Sequence, residues 1–373
     1  MELIILKNHF KNGLDAISKI GAEGSTTLPI LKNFLIETVD NKIKLSTTNL
    51  EMAILSFVPA KIIKEGSLTI PFNIINSIIN NLQSERIILE SKNDNLIIKT
   101  DNYQAKIQGT KHEEFPIIPN IGNKVFSLKI PTLIIKDALF SIINAAQFSE
   151  IKQELNGILF DFQLSFLKLA ATDSFRLSEK TIINNKFKTD FEDKFKAVIP
   201  IKTIHEVVRI FKNEENEEIE IIFDQNQVLF EGKNTKLISR LINEEFPDYQ
   251  SIIPQISETE AVLSKEQLIQ SLKLTGSFTD RLNEIKIIIK KDAKNIEIYS
   301  NNSSLGENQY LIPAKIKGPP IEIIFNWKFL LDGLKVINSE NIYIGMNSNN
   351  RPAIIKSPNE ISYFYILMPV KSS

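Results

Sequence analysis

The chain has 373 residues, 43% of them hydrophobic, with 44 Lys and Arg against 45 Asp and Glu for a net charge of −1. That length exceeds one ordinary core and suits several domains, while the charge balance excludes wholesale coating by nucleic acid but leaves local basic surfaces open. With no cysteine, disulfides, thiolate nucleophiles and cysteine-held zinc are excluded, which fits a reducing compartment. Met1 to Lys7 reads as one short apolar strand, without the basic start and long apolar stretch of a signal peptide. No apolar run approaches the roughly 18 residues of a membrane span, so none is expected. The many Ile, Asn and Lys residues read as codon bias from an AT-rich genome.

The chain then repeats itself. Leu45-Ser46-Thr47-Thr48-Asn49 returns as Leu169-Ala170-Ala171-Thr172-Asp173, and more weakly as Ile298-Tyr299-Ser300-Asn301-Asn302. The offsets are 124 and 129 residues, so the chain divides into three units, taken as residues 1–122, 123–255 and 256–373. Each unit is expected to open with a strand and a helix: Leu3–Leu6 then Lys7–Ile20, Val125–Ile130 then Pro131–Phe148, and Glu260–Leu263 then Ser264–Thr279. Pro131 suits the first helical position, and Ser264 with Gln267 reads as a capping box. Hairpins follow, at Leu35–Val39 with Lys42–Ser46, Gly157–Asp161 with Phe166–Ala170, and Lys286–Lys290 with Asn295–Ser300.

Second helices are expected at Phe72–Leu82, Ile201–Lys212 and Trp327–Ile337, each after a strand. Closing strand pairs come at Arg86–Glu90 with Asn95–Thr100, Glu218–Phe223 with Gln227–Glu231, and Asn341–Met346 with Ala353–Lys356. Units one and two finish on matching proline-flanked segments, Phe115 to Pro119 and Phe246 to Pro254; unit three ends in Phe364 to Val370. The pattern is α+β, with helices on one side of antiparallel sheets.

The expected helices are basic although the chain is not. Lys7, Lys11, Lys19, Lys202, Arg209, Lys212, Lys328 and Lys335 bring their sum to +5. Lys-rich solvent faces are common, but a basic surface in a neutral chain also suits phosphate contact. Catalytic material is scarce. His9, His112 and His205 have no metal-ligand spacing, and Gly21-Ala22-Glu23-Gly24-Ser25 lacks the rest of a phosphate loop. Glu214 to Glu218 reads as a solvated charge run, and Asp280 with Glu284 as surface. A non-catalytic role without cofactor or metal is favoured.

Five segments in order carry a resemblance: Thr27-Leu28-Pro29-Ile30-Leu31, Leu155-Asn156-Gly157-Ile158-Leu159-Phe160, Ala171-Thr172-Asp173-Ser174-Phe175-Arg176-Leu177, Phe246-Pro247-Asp248-Tyr249, and Met368-Pro369-Val370. With the threefold repeat, the whole chain resembles the β subunit of bacterial DNA polymerase III, the replicative sliding clamp family. The resemblance implies three clamp domains per chain, head-to-tail homodimerisation into a ring, and helices lining a hole around double-stranded DNA. It also implies cytoplasmic work with the replicative polymerase catalytic subunit, an ATP-dependent clamp loader, and other polymerases and repair or initiation proteins carrying clamp-binding peptides. The DNA-facing candidates are then Lys11, Lys19, Lys202, Arg209, Lys328 and Lys335, about +10 of helix charge per ring, for contact with backbone rather than bases.

The family's partner-peptide groove maps onto Leu155, Thr172, Ser174, Phe175, Arg176 and Leu177, Pro247 and Ile252, and Ile366, Met368 and Val370. Such walls suit Leu or Phe anchors, with Met368 adaptable and Arg176 able to hold a carbonyl or carboxylate. The chain departs from the family where Gly-His is frequent and Ser174-Phe175 stands, and where Val370 replaces a frequent Met. Ser25 stands for a common basic residue, and Gln153 and Glu154 for tyrosines. For the dimer, the resemblance implies edges near Ile74–Glu114 and Glu297–Gly306, with Leu82, Phe278 and Leu282 as apolar candidates. A three-domain peptide-binding scaffold that does not encircle DNA is the alternative, and a nucleic-acid hydrolase is disfavoured by the missing site chemistry.

Overall fold

The computed structural model describes residues 1–23, 28–189, 193–211 and 217–370. Thr27, Ser25, Lys212 and the acidic run from Glu214 to Asn216 lie outside the described residues. The first repeat runs β1 (Glu2–Leu6), α1 (Lys7–Glu23), β2 (Asn33–Val39), β3 (Lys42–Thr48), β4 (Met52–Pro59), β5 (Lys61–Lys64), β6 (Ser67–Pro71), α2 (Phe72–Asn81), β7 (Arg86–Lys92), β8 (Asn95–Lys99) and β9 (Gln104–Gln108). The second runs β10 (Phe126–Pro131), α3 (Thr132–Ile142), β11 (Gly157–Gln163), β12 (Phe166–Thr172), β13 (Arg176–Ile183), β14 (Phe195–Pro200), α4 (Ile201–Ile210), β15 (Glu218–Phe223), β16 (Gln227–Glu231) and β17 (Thr235–Arg240). The third runs β18 (Thr259–Ser264), α5 (Lys265–Gly276), β19 (Glu284–Ile289), β20 (Asn295–Asn302), β21 (Gly306–Lys317), β22 (Ile321–Asn326), α6 (Trp327–Val336), β23 (Asn341–Met346), β24 (Ala353–Lys356) and β25 (Tyr363–Leu367).

The repeats share one topology. In each, the opening strand pairs with the strand after the second helix, giving β1-β7-β8-β9, β10-β15-β16-β17 and β18-β23-β24-β25. The four remaining principal strands make a second set, β6-β2-β3-β4, β14-β11-β12-β13 and β22-β19-β20-β21. By compactness the chain forms two units, one of 1–133, 187–191 and 206–241, the other of 134–186, 192–205 and 242–373. The first holds a five-stranded and an eight-stranded sheet, the second a twelve-stranded one. Within the first unit, β4 of repeat one pairs antiparallel with β17 of repeat two. Within the second, β13 of repeat two pairs with β25 of repeat three.

Local chemistry sets the helices. Phe10, Leu14 and Ile17 recur on one face of α1 and are buried, as are Phe72, Ile75 and Ile79 on α2. Ser264 caps α5 by accepting from Gln267 N–H, and Asn326 caps α6 by accepting from Lys328 and Phe329. The first lysine of two repeats does a second job: Lys7 Nζ donates to Leu82 O, and Lys265 Nζ donates to Ile337 O at 2.6 Å. Both ammonium groups thereby sit on the carbonyl end of the repeat's second helix, where positive charge is favoured.

Several boundaries differ from the sequence reading. Pro131 ends β10, so α3 begins at Thr132, and it stops at Ile142 before a 3₁₀ turn at Ile143–Ala145. Gly21 belongs to α1, which runs past Ile20 to Glu23. With the observed bounds, α1, α4, α5 and α6 each carry one net positive charge, so the helices sum to +4 rather than +5. The expected edge at Glu297 is also corrected: Glu297 pairs with Ile288 on one side and Leu311 on the other. The open edge is the first half of β21, since β18 meets β21 only from Ala314 to Lys317.

Candidate functional site

The segment between β12 and β13 is a tight turn built by its own side chains. Thr172 Oγ1 donates to Arg176 O at 2.7 Å and accepts from Ser174 N–H at 3.3 Å. Asp173 Oδ1 accepts from the N–H groups of Phe175 and Arg176 at 2.9 and 3.0 Å. Ser174 is left-handed at φ 76°, a conformation costing a non-glycine residue about 1–2 kcal/mol. The turn throws Phe175 outward, 61% exposed, and turns Arg176 inward.

Arg176 is held on three sides. Its Nε donates to Asp173 Oδ2 at 2.8 Å, and its Nη1 donates to Asp332 Oδ2 at 2.8 Å. Its guanidinium carbon stacks 4.2 Å from the ring centre of Phe329. Burial opposes its charge, yet Tyr365, Asp173 and Asp332 leave the guanidinium above its ordinary value. Phe175 reaches the same aromatic, with ring centroids 6.5 Å apart. The sequence reading missed Phe329 and Asp332, which come from α6 of the next repeat. It also gave Arg176 a freer hand than it has, because two of its donors are committed to carboxylates.

Beneath the turn lies a buried cluster that includes Leu177, Ile366, Leu159, Val198, Tyr249 and Ile354, with Ile242, Phe246, Ile253 and Phe364 packed against it. Leu177 and Ile366, at 0% and 1% exposure, are core rather than open wall, since they face each other across the β13–β25 ladder. Leu155 is also buried, in the 3₁₀ turn Gln153–Leu155. The solvent-facing part of the candidate set is Ser174, Phe175, Pro247 and Ile252, with Met368 and Val370 half-buried. Tyr249 fixes the segment carrying Pro247 and Ile252: its hydroxyl donates to buried Glu179 at 2.6 Å, and burial followed by that bond pushes the phenol up.

The C-terminal stretch is pinned at both ends. Met368 N–H donates to Phe175 O, and Val370 N–H donates to Ile324 O, each at 2.8 Å. Tyr365, whose phenol burial pushes up, donates to Phe329 O at 2.9 Å from beneath α6. Gly333 makes that fit possible, because a Cβ there would come within 2.5 Å of the Tyr365 ring.

The basic candidates behave unequally. Lys11, Lys202 and Lys328 have no salt bridge among the described residues. Lys202 lies over Phe148 and Lys328 over Trp327. Lys19 lies 3.6 Å from Glu206, and Lys335 lies 3.3 Å from Asp332. Arg209 is largely spent: it donates to Glu206 Oε2 and to the carbonyls of Asp15 and Ala16 in α1. It ties α4 to α1, so the sequence overstated its freedom to meet a phosphate. Among the described residues no cluster of His, Asp or Glu is arranged to hold a metal ion, and no helix is long and apolar enough to cross a membrane.

Comparison with known families matches the DNA polymerase III beta subunit three times in succession: its N-terminal domain over residues 1–119, its central domain over 129–248 and its C-terminal domain over 250–371. The chain belongs to the DNA polymerase III beta subunit family. It is 28% identical to the beta sliding clamp of Bacillus subtilis, with both chains covered in full. The beta sliding clamp of Rickettsia bellii is 27% identical over 91% of this chain and 92% of its own. Among solved structures, the DNA polymerase sliding clamp from Bacillus subtilis superposes with a TM-score of 0.93 at 27% identity, both chains fully covered. The beta subunit from Thermotoga maritima gives 0.91 at 25% identity, again over both whole chains.

Proposed function

We propose that this family member acts as a non-catalytic DNA sliding clamp, closing head to tail with a second copy around duplex DNA and tethering the replicative polymerase for processive synthesis. One observation carries the reading. Repeats one and two join through β4 and β17, with Met52 opposite Ser239; repeats two and three join through β13 and β25, with Arg176 opposite Leu367. Met52 and Arg176 are equivalent positions, so both joints use one register. The pattern leaves β9 and the first half of β21 as the two unused members of the same kind of joint. An open strand edge invites pairing, and pairing β9 of each copy with β21 of the other closes six repeats into a ring.

The rest follows from that arrangement. Domain boundaries fall at about residues 122 and 255, just after the two proline-flanked segments Phe115 to Pro119 and Phe246 to Pro254. The basic helix residues Lys11, Lys19, Lys202, Lys328 and Lys335 turn toward the DNA and meet phosphates, which carry no sequence information and so permit sliding. The exposed Phe175, Pro247 and Ile252 with half-buried Met368 and Val370, over a floor of Leu155, Leu177 and Ile366, take linear peptides from polymerases, the ATP-dependent clamp loader and repair or initiation proteins. The work is done in the cytoplasm, where those partners are.

The test is topological. A copy loaded onto nicked circular DNA should stay through a high-salt wash and leave once the circle is cut open. Rapid loss from intact circles in high salt, or a stable monomer at micromolar concentration, would favour a peptide-binding scaffold that encircles nothing.

A further inference from the structure

The turn that shapes the candidate groove occurs twice. In repeat one, Thr48 Oγ1 donates to Met52 O at 3.0 Å and accepts from Leu50 N–H at 3.0 Å. Asn49 Oδ1 accepts from Glu51 and Met52 N–H at 3.1 and 2.9 Å, and Leu50 is left-handed at φ 74°. The neighbouring strand is attached identically: Arg240 N–H donates to Glu51 O at 3.0 Å, as Met368 N–H does to Phe175 O. The linker supplies the third wall, with Ile117 and Pro119 following Phe115-Pro116 as Ile252 and Pro254 follow Phe246-Pro247.

These walls enclose a cavity of about 370 Å³, within the range of small-ligand sites. Its apolar lining includes Leu50, Met52, Ile117, Pro119 and Ile238. Leu50 is 47% exposed and Ile117 95%, so two apolar side chains at its rim stand in water. Its polar chemistry differs from that of the first groove. Where that groove has Phe175, Arg176 and Met368, this one has Glu51, Met52 and Arg240. Arg240 is exposed, with no salt bridge among the described residues. Gln227 Oε1, in the lining, is buried and accepts no hydrogen bond. An occupant therefore has to bring apolar anchors, a donor for Gln227 and a negative group for Arg240.

We infer that the pocket formed by the Thr48–Met52 turn, β17 and the Ile117–Pro119 linker is a second docking site for a linear partner peptide, one that places a carboxylate on Arg240 beside Leu or Phe anchors. A main-chain N–H of the peptide satisfies Gln227. The inference rests on the proposed peptide groove around Phe175 and Met368, of which this pocket is the counterpart one repeat earlier.

The four methionines allow each site to be read separately. Met52 lines this pocket and Met368 the first groove, while Met1 and Met346 are buried elsewhere. The full chain, ¹³C-labelled at methionine methyls, is titrated with the acetylated amide peptide Leu-Asp-Leu-Phe. Met52 and Met368 signals should both move while Met346 stays fixed as a control for folding. Arg240→Ala should weaken the Met52 titration about fivefold, as loss of one exposed ion pair does, and leave that of Met368 unchanged. If Met368 saturates and Met52 never moves, the second site is overturned and the first stands. If neither moves, the groove reading on which the inference rests has failed. A Met52 titration indifferent to Arg240→Ala overturns the assignment of the carboxylate.

Discussion

Arg176 and Asp332 meet through a 2.8 Å hydrogen-bonded ion pair that couples the turn of repeat two to the last helix of repeat three. Arg176 is nearly buried and Asp332 about a third exposed. Hydrogen bonds to charged groups contribute about 1.5–3 kcal/mol, so Asp332→Ala should lower unfolding free energy in urea by an amount in that range. An unchanged denaturation midpoint would show that the pair forms without stabilising the fold.

Met368 is only half-buried and its main chain is fixed by Phe175. Met368→Ala should therefore weaken binding of a polymerase C-terminal peptide about tenfold, roughly 1.4 kcal/mol, without altering the dimer seen by sedimentation. Unaltered peptide affinity would refute the groove.

Ser174 has φ 76°, where glycine is unstrained. Its hydroxyl accepts from Lys152 Nζ at 2.9 Å in an exposed contact of small value. Ser174→Gly should raise stability by about 1 kcal/mol, read as a higher melting temperature. A lower melting temperature would mean that the Lys152 contact outweighs the strain.

Glu360 accepts from Lys180 Nζ at 2.6 Å and also from Ser362, and these bonds hold its carboxyl below the ordinary value. Folded Glu360 thus binds a proton less readily than unfolded Glu360. Its contribution is complete above the ordinary carboxyl range, about pH 4.5, and is lost as pH falls through the depressed folded value. Glu360→Gln should lower the urea midpoint at pH 7, and the gap from the unaltered chain should narrow as pH falls below the ordinary carboxyl range and close once Glu360 is protonated in the folded chain too. A gap constant across that interval would exclude the linkage.

The shared register of the two internal joints predicts the register of the third. Thr48 faces Ala53 as its counterpart Asn301 faces Glu307, so Ala53 opposite Ile238 corresponds to Glu307 opposite Lys106, which sets Gln309 opposite Gln104. Because the chain has no native cysteine, Gln104→Cys with Gln309→Cys should give a disulfide-linked dimer under mild oxidation. Faster crosslinking for Gln104→Cys with a cysteine at position 311 would mean that the subunits meet in another register.

What the sequence revealed and concealed follows from burial. Strands with one buried face were legible: β7 buries Ile87 and Leu89, β8 buries Leu96 and Ile98, and both alternate cleanly. The joint strands β4 and β13 were not, because Met52-Ala53-Ile54 and Arg176-Leu177-Ser178-Glu179 are buried continuously, and such runs carry no period of two. Short β9 was hidden by its polar residues, Gln104, Lys106 and Gln108. At the groove, Thr172 to Arg176 stood out as a repeated motif. Phe329 and Asp332 did not, since nothing local marks two ordinary helix residues as partners of an arginine in the preceding repeat.

The two proline-flanked linkers give the proposed ring a designated weak point. Within a chain, each joint between repeats has a short covalent tether, so its strands face one another at an effective concentration near the millimolar range and re-form at once after parting. The proposed β9–β21 joint has the same architecture but no tether, and only the opposite joint holds the halves together when it parts. Force applied anywhere on the proposed ring will therefore open it between subunits, and release leaves the gap to be closed by the intact joint across the ring.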